Sequence, residues 1–334
     1  MKEFDVYALG NALVDIEYHL DEKSLIRMGI NKGLMTLIDE QQHNNLINYL
    51  GESHEKMACG GSAANSLIAI AQMGGNSFFS CRVANDMAGQ FYIEDLKNAG
   101  VSSNSHLLVE EDAGISGKCL VFVTPDADRT MNTYLGASAD LDSSYVSEQA
   151  IKDSEYIYLE GYLVTDERSR QAVLKAKEFA KQYNVKTALT LSDPSMMMFF
   201  REGMLEMIGD GVDLLFANES EANELANSKN LDDTIAAMKT FAKTFAITRG
   251  KDGAIVYDGE SIIQIDAHDV NAVDTLGAGD MFAGAFLYAI THSMDYQSAG
   301  ELASLASSRI VTQYGPRLQP EQTLDLLQSY KNPV

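Results

Sequence analysis

The chain is short of several things, and each shortage excludes something. Cysteine occurs only 3 times in 334 residues, as Cys59, Cys81 and Cys119. Three is an odd number and too small for a disulfide framework, so a reducing, cytoplasmic setting is expected. Five prolines beside 25 glycines exclude a collagenous or Pro-rich chain. Basic residues are scarce, with 25 Lys+Arg against 48 Asp+Glu and a formal net charge of −23. Nucleic acids and anionic membranes are held by basic patches, so neither is expected as a partner. Long apolar runs are missing too. The longest, residues 281–290, is about half of the roughly 20 residues a membrane helix needs. The N-terminal MKEFDVYALGNALVDI has one early Lys followed by acids, unlike a secretory leader. The six histidines show no metal-ligand spacing.

What is present is a large apolar fraction, 46 %, enough for a sizeable core. Strand-like and helix-like runs alternate along the chain. Strands are predicted at 4–9, 78–83, 118–124, 156–159, 186–191, 212–216 and 244–248, with two more around Asp258-Gly259. Helices are predicted at 65–73, 87–99, 168–183, 196–208, 219–226, 232–243, 278–291, 296–312 and 321–330. Such alternation predicts an α/β fold, a mostly parallel sheet with helices on both faces. Ligands of such sheets gather at the carboxyl ends of the strands. Residues 11–39 and 101–136 break the rhythm, being polar and turn-rich, and read as a small β-rich lid. Within the second stretch, Glu110-Glu111-Asp112 reads as a solvated loop tip and Pro125-Asp126 as a turn. No linker or repeat divides the chain, so residues 1–334 are expected to form one domain with a lid.

Two glycine-rich motifs open helices. DTLGAGD, residues 274–280, runs straight into the apolar MFAGAFLYAI. The first N–H groups of a helix have no intrahelical partner, and the helix dipole makes that end partly positive. The small residues Gly277, Ala278 and Gly279 would let a phosphate approach those groups. Asp280 would accept the proton of an attacking hydroxyl, as a weak base because the dipole favours its ionised form. The plainer alternative is a glycine-rich turn with an ordinary N-terminal Asp. Upstream, CGGSAAN at residues 59–65 opens a second buried helix. Gly60 and Gly61 would admit a polar ligand and Asn65 would bond it, unless the small residues serve only packing. TRGKDG, residues 248–253, is either a hairpin turn or a backbone cradle for nucleotide phosphates, and no Walker loop occurs. Asn218 and Glu221, after the apolar VDLLF, suit either a hydrated Mg2+ or a capped helix start.

Together these motifs resemble the ribokinase-like (PfkB) small-molecule kinases, over essentially the whole length. GGSAAN, with later Gly74 and Gly89, resembles the N-terminal signature of that family. DTLGAGDMFAGAF resembles its C-terminal one. Within the family the chain is most similar to adenosine kinases, through GNALVDI at 10–16, LEGYLVT at 159–165, LTLSDPSMMMFF at 189–200, VDLLFANESEA at 212–222 and DRTMNTYLGAS at 128–138. The resemblance implies a three-layer α/β/α fold with a mostly parallel central sheet and a lid that closes before transfer. It implies ATP, Mg2+ and possible use of K+ near residues 269–274.

Roles follow by position. Asp280 would be the base toward a primary sugar hydroxyl, with Gly277, Ala278 and Gly279 as the anion hole. Asp15, Gly60, Gly61 and Asn65 would hold sugar hydroxyls, with Asn11 and Tyr162 near the outer part of the substrate. Arg129 would reach from the lid toward the phosphates. Thr248, Gly250, Gly253, Asn218 and Asp274 would serve the ATP site, with Glu221 on Mg2+ through water. Adenosine is the expected acceptor, a free sugar such as fructose or ribose the alternative, and a non-catalytic binder the third reading. A monomer and a homodimer are both compatible with the resemblance.

Overall fold

Along the first strand, alternate residues enter two different cores. Val6 and Ala8 pack into one, Tyr7 and Leu9 into the other. A strand buried on both faces reads as a continuous apolar run, which is the mark of a central parallel strand. The computed structural model describes residues 2–33, 35–51, 56–104, 114–125 and 129–331. The expected loop tip at Glu110, Glu111 and Asp112, and the turn residue Asp126, lie outside these residues.

The strands are β1 (Phe4–Leu9), β2 (Leu13–His19), β3 (Met35–Leu37), β4 (Lys56–Gly60), β5 (Ser77–Ser80), β6 (Ser102–Ser103) and β7 (Gly117–Val123). Then come β8 (Arg129–Tyr134), β9 (Ser154–Glu160), β10 (Lys186–Thr190), β11 (Val212–Asn218), β12 (Ala242–Thr248), β13 (Ala254–Tyr257) and β14 (Ile262–Ile265). The helices are α1 (Glu22–Met28), α2 (Glu40–Leu50), α3 (Ser62–Gln72), α4 (Met87–Asn98), α5 (Glu148–Lys152) and α6 (Glu167–Tyr183). They continue as α7 (Pro194–Ile208), α8 (Glu219–Ala226), α9 (Leu231–Phe241), α10 (Ala278–Thr291), α11 (Tyr296–Ile310) and α12 (Pro320–Lys331).

Nine strands form the main sheet in the order β14-β13-β12-β11-β10-β9-β1-β5-β6. It is parallel except where β13 pairs antiparallel with β12 and with β14. Helices α3, α10 and α11 cover one face and α6 to α9 the other, which gives three layers. α10 is all but buried because its run of small and apolar residues lies between α3 and α11.

Five strands form a smaller mixed sheet in the order β3-β8-β7-β2-β4. Its alternation decides what faces the body. Val14, Ile16, Tyr18, Leu120 and Phe122 join the main core, while Cys119, Val121 and Val123 point the other way with Met131 beside them. This sheet is the lid.

The lid differs in detail from the expected one. It includes β4, outside both predicted stretches, because Lys56–Gly60 pairs antiparallel with β2. Residues 22–28 are a helix, started by the Asp21 cap and ended by Gly29 in the left-handed region. Ser102–Ser103 instead extends the main sheet beside β5. α3 also begins earlier than predicted, at Ser62, so Asn65 stands one turn inside it.

Candidate active site

A cavity of about 690 Å³ lies between the carboxyl ends of the main-sheet strands and the lid. The first turn of α10 forms its floor, through Gly277, Gly279 and Asp280. Asn11, Asp15, Gly61 and Asn65 line the side nearest α3, with Tyr162 beyond them. Asn218, Glu221 and Thr248 line the opposite side, and Arg129 and Asp274 lie between floor and lid. The two motifs, more than 200 residues apart in sequence, therefore meet. Ser62 Oγ donates to Asp280 Oδ1 at 2.6 Å, and Asn65 Nδ2 donates to Asp280 Oδ2 at 2.9 Å.

Four expected site residues do not line the cavity. Gly60 is buried, and a Cβ there would collide with the Asp15 carboxylate, so it makes room for Asp15. Ala278 turns its N–H back to the Thr275 carbonyl at 3.3 Å, while Gly277 and Gly279 line the cavity. Gly250 and Gly253 belong to a tight turn joining the antiparallel pair β12 and β13. Gly253 has φ +80° and packs against the Ile265 carbonyl, so TRGKDG has the form of a hairpin turn.

Other residues are placed but already engaged. Arg129 is 8 % exposed, with Nε 3.0 Å from Asp274 Oδ2 and a terminal nitrogen 3.4 Å from Glu17. Two carboxylates thus hold its guanidinium at the cavity. Asp274 organises the loop before α10, accepting from the Leu276 N–H at 3.0 Å and the Gly315 N–H at 2.8 Å. Asn218 and Glu221 form a reciprocal capping box at the start of α8, so the capped-helix reading is realised at a position that also faces the cavity. Tyr162 donates to the Ser192 carbonyl at 3.4 Å.

The charge balance differs from expectation. Burial pushes the Asp280 carboxyl above its ordinary value, against the bonds from Ser62 and Asn65 and the field of Arg317. Asp280 is therefore a stronger base than the helix dipole alone implied, because desolvation outweighs the stabilisation of its ionised form. Burial also lifts Asp15, Glu160 and Glu221 to about 7 each. Glu160 went unnoticed in the sequence. It is 1 % exposed, takes the Ala63 N–H at 3.0 Å, and holds Asn11 Nδ2 at 3.1 Å. Arg317 was also missed. Its one sequence signal is a cation directly after Gly315-Pro316, where the chain turns back to the site.

Residues 36–323 match the family model described as pfkB family carbohydrate kinase. The chain belongs to the pfkB carbohydrate kinase family. A probable sugar kinase protein from Rhizobium etli superposes with a TM-score of 0.90 at 32 % identity, covering 98 % of this chain and 99 % of that one. An adenosine kinase from Sinorhizobium meliloti does so with a TM-score of 0.89, also at 32 % identity and the same coverage. A 5-dehydro-2-deoxygluconokinase of Geobacillus thermodenitrificans is 27 % identical over 267 residues, 76 % of this chain and 79 % of that protein.

This pfkB kinase is a phosphotransferase with an alcohol group as acceptor, and its family uses ATP with Mg2+. The donors at the α8 end of the cavity suit that pair. Asn218, Glu221, Asp193 and Thr190 offer oxygen, the ligand Mg2+ prefers. Among the described residues no group of three His, Cys, Asp or Glu could hold a metal by itself. The set fits a hydrated ion carried on nucleotide phosphates rather than an all-protein cage. Among the described residues of this kinase, no helix is long and apolar enough to cross a membrane.

Proposed function

We propose that this kinase transfers the γ-phosphoryl group of ATP to the primary hydroxyl of a nucleoside, with adenosine the best-fitting acceptor. The observation that carries this reading is the contrast between the cavity's two walls. The floor and the side toward α3 are polar, with Asn11, Asn65 and Asp280. The lid wall is mostly apolar, with Leu13, Met35, Leu37, Val121 and Met131, and it carries Asp15 on the same strand as Leu13, and Arg129 and Thr133 on β8. A ribose diol suits the Asp15 carboxylate, which can accept from two neighbouring hydroxyls. A flat base suits the aliphatic lid, where further sugar hydroxyls would lose their hydration without gaining partners.

In this reading Asp280 takes the proton of the acceptor hydroxyl. The hydroxyl oxygen bonds to the γ-phosphorus as the bond to the departing ADP breaks. The N–H groups around Gly277 and Gly279 receive the charge on the phosphoryl oxygens, and Mg2+ offsets the charge on the remaining phosphates. Glu221 would steady that ion through water, and Asn218 and Thr248 would flank the nucleotide.

A second reading, a free-sugar kinase, draws on the polar floor, which would serve a sugar as well as a ribose. The test is turnover with Mg-ATP on adenosine, inosine, guanosine, ribose and fructose, each alone. Adenosine should give the highest kcat/KM. Faster turnover on a free sugar than on every nucleoside would overturn the nucleoside assignment.

A further inference from the structure

Arg317 lies outside the cavity lining, just before α12, with its side chain 15 % exposed. Its guanidinium is bonded on three sides. Nε donates to Asn65 Oδ1 at 3.1 Å, one terminal nitrogen to Asp95 Oδ2 at 3.3 Å, and the other to Cys59 Sγ at 3.1 Å. Asp95 also accepts from the Cys59 N–H at 2.8 Å, so the anchor is itself held.

The consequence lies in the amide of Asn65. An amide has one accepting end and one donating end, whereas a guanidinium only donates and a carboxylate only accepts. With Arg317 against Oδ1, Nδ2 must face Asp280. The flipped amide would set donor against donor at Arg317 and acceptor against acceptor at Asp280, so the network leaves one orientation. The neighbours of Arg317 support the same loop. The Gly315 N–H bonds Asp274, and Pro316 packs where a Cβ on Gly277 would stand. Three consecutive residues thus buttress both the loop before α10 and the carboxylate on α10.

We propose that Arg317 is a positioning residue that locks the Asn65 amide and thereby holds the Asp280 carboxylate in its reactive orientation. The inference rests on the reading of Asp280 as the base. Charge acts in the same direction. Asp280 is faced by Asp15 from β2, Tyr158 and Glu160 from β9, Tyr162 beyond it and Glu221 from α8. Arg317 is the cation that opposes the burial of Asp280, and it acts likewise on Asp15. Arg317 itself is faced by Cys59, Tyr92, Asp95 and Asp15.

The test is a cycle of Arg317→Met, Asn65→Ala and the double variant, with Arg317→Lys alongside and rates referred to folded protein. Arg317→Met should lower kcat about 10- to 100-fold, as expected for a misplaced reacting group. Its kcat should fall by more than its acceptor KM rises, because Arg317 itself touches no substrate. The double variant should be no slower than the slower single one, since both changes break one chain of contacts. The acid limb of the kcat profile should move to higher pH in Arg317→Met. In Arg317→Lys, which keeps the charge but not the fork, kcat should fall while the limb stays. Additive losses, an unmoved limb in Arg317→Met, or a kcat within twofold of the parent enzyme would each overturn the proposal. If Arg317→Met does not fold, unchanged kcat in Arg317→Lys overturns it alone. Asp280→Asn measured in parallel separates the two ideas. Retained turnover there defeats the base reading, whereas additive losses beside an inactive Asp280→Asn defeat only the role of Arg317.

Discussion

Helices α8 and α10 each bring an acidic residue into the same cavity at the third helical position, Glu221 in one and Asp280 in the other. Their duties differ because their N-caps differ. α8 is capped by Asn218, whose side chain takes the Glu221 N–H at 2.9 Å. Glu221 answers by accepting from the Asn218 N–H at 2.9 Å and from its Nδ2 at 2.6 Å. Each of its oxygens thus takes one bond at the helix start. α10 is capped by Gly277, at φ +74°, which has no side chain to offer. Asp280 has no cap to complete, and α3 captures it through Ser62 and Asn65. One helix end is closed by its own residues, and the other carries no side-chain cap and has a carboxylate beside it. In the proposed transfer the uncapped end is the one that receives the phosphoryl oxygens.

The sharpest way to break this comparison is to neutralise the two acids in turn. Asp280→Asn keeps a side chain that Ser62 and Asn65 can still bond, so the fold and acceptor binding should survive. Turnover should fall about 10²- to 10⁴-fold, the range a general base supplies. Steady-state kinetics beside calorimetric acceptor binding checks both halves, and near-normal turnover would remove Asp280 from the chemistry.

A middle-sized effect concerns stability against pH. Glu221, Glu160 and Asp15 are raised from ordinary carboxyl values to about 7 by burial. A raised acid contributes stability that is fully present below its unfolded value and is lost as pH rises through its folded value. The ligand-free protein should therefore melt several degrees lower at pH 7.5 than at pH 5, with the loss falling between about 4.5 and 7. Glu221→Gln can keep the bond from the Asn218 N–H, since Gln also serves in a capping box, but loses the bond from the Asn218 Nδ2. Its melting temperature should vary less with pH than that of the parent. An unchanged slope would mean that Glu221 ionises as freely in the fold as outside it.

Much of this comparison was legible beforehand. The α10 span of 278–291 follows from an apolar run begun by small residues, and Glu219 to Ala226 was read as a helix with acids in its first turn. Local pattern suffices there, because a helix end is decided by a few neighbours. Contacts across the fold left no such trace. Arg317 meets Asn65, Asp95 and Cys59 across separations of 252, 222 and 258 residues. Glu160 ends an apolar strand that was read as stopping at Leu159, since a fully buried carboxylate is not expected without partners. Its partners, Ala63 and Asn11, lie 97 and 149 residues away in the chain. β4 was missed because Lys56–Gly60 is short and ends in the glycines that open α3. TRGKDG shows the opposite limit, since a glycine-rich local pattern is shared by phosphate cradles and ordinary hairpins.

The smallest expected effect tests the cap itself. Asn218 has φ −85° and ψ 169°, an extended conformation open to any residue. Asn218→Ala should cost about 1 kcal/mol, the usual cost of losing a capping side chain. Asn218→Gly copies the α10 cap onto α8 and should cost only a few tenths of a kcal/mol, because glycine leaves the N–H groups accessible to water. Denaturant midpoints measured at pH 7 on both variants order the two costs. Ala worse than Gly is the result expected if α8 is held by its own cap. Equal, negligible costs would mean that burial of Ala222 and Leu225 holds this helix start. The closed end would then owe its shape to packing, and the contrast with α10 would lie only in which end admits a phosphate.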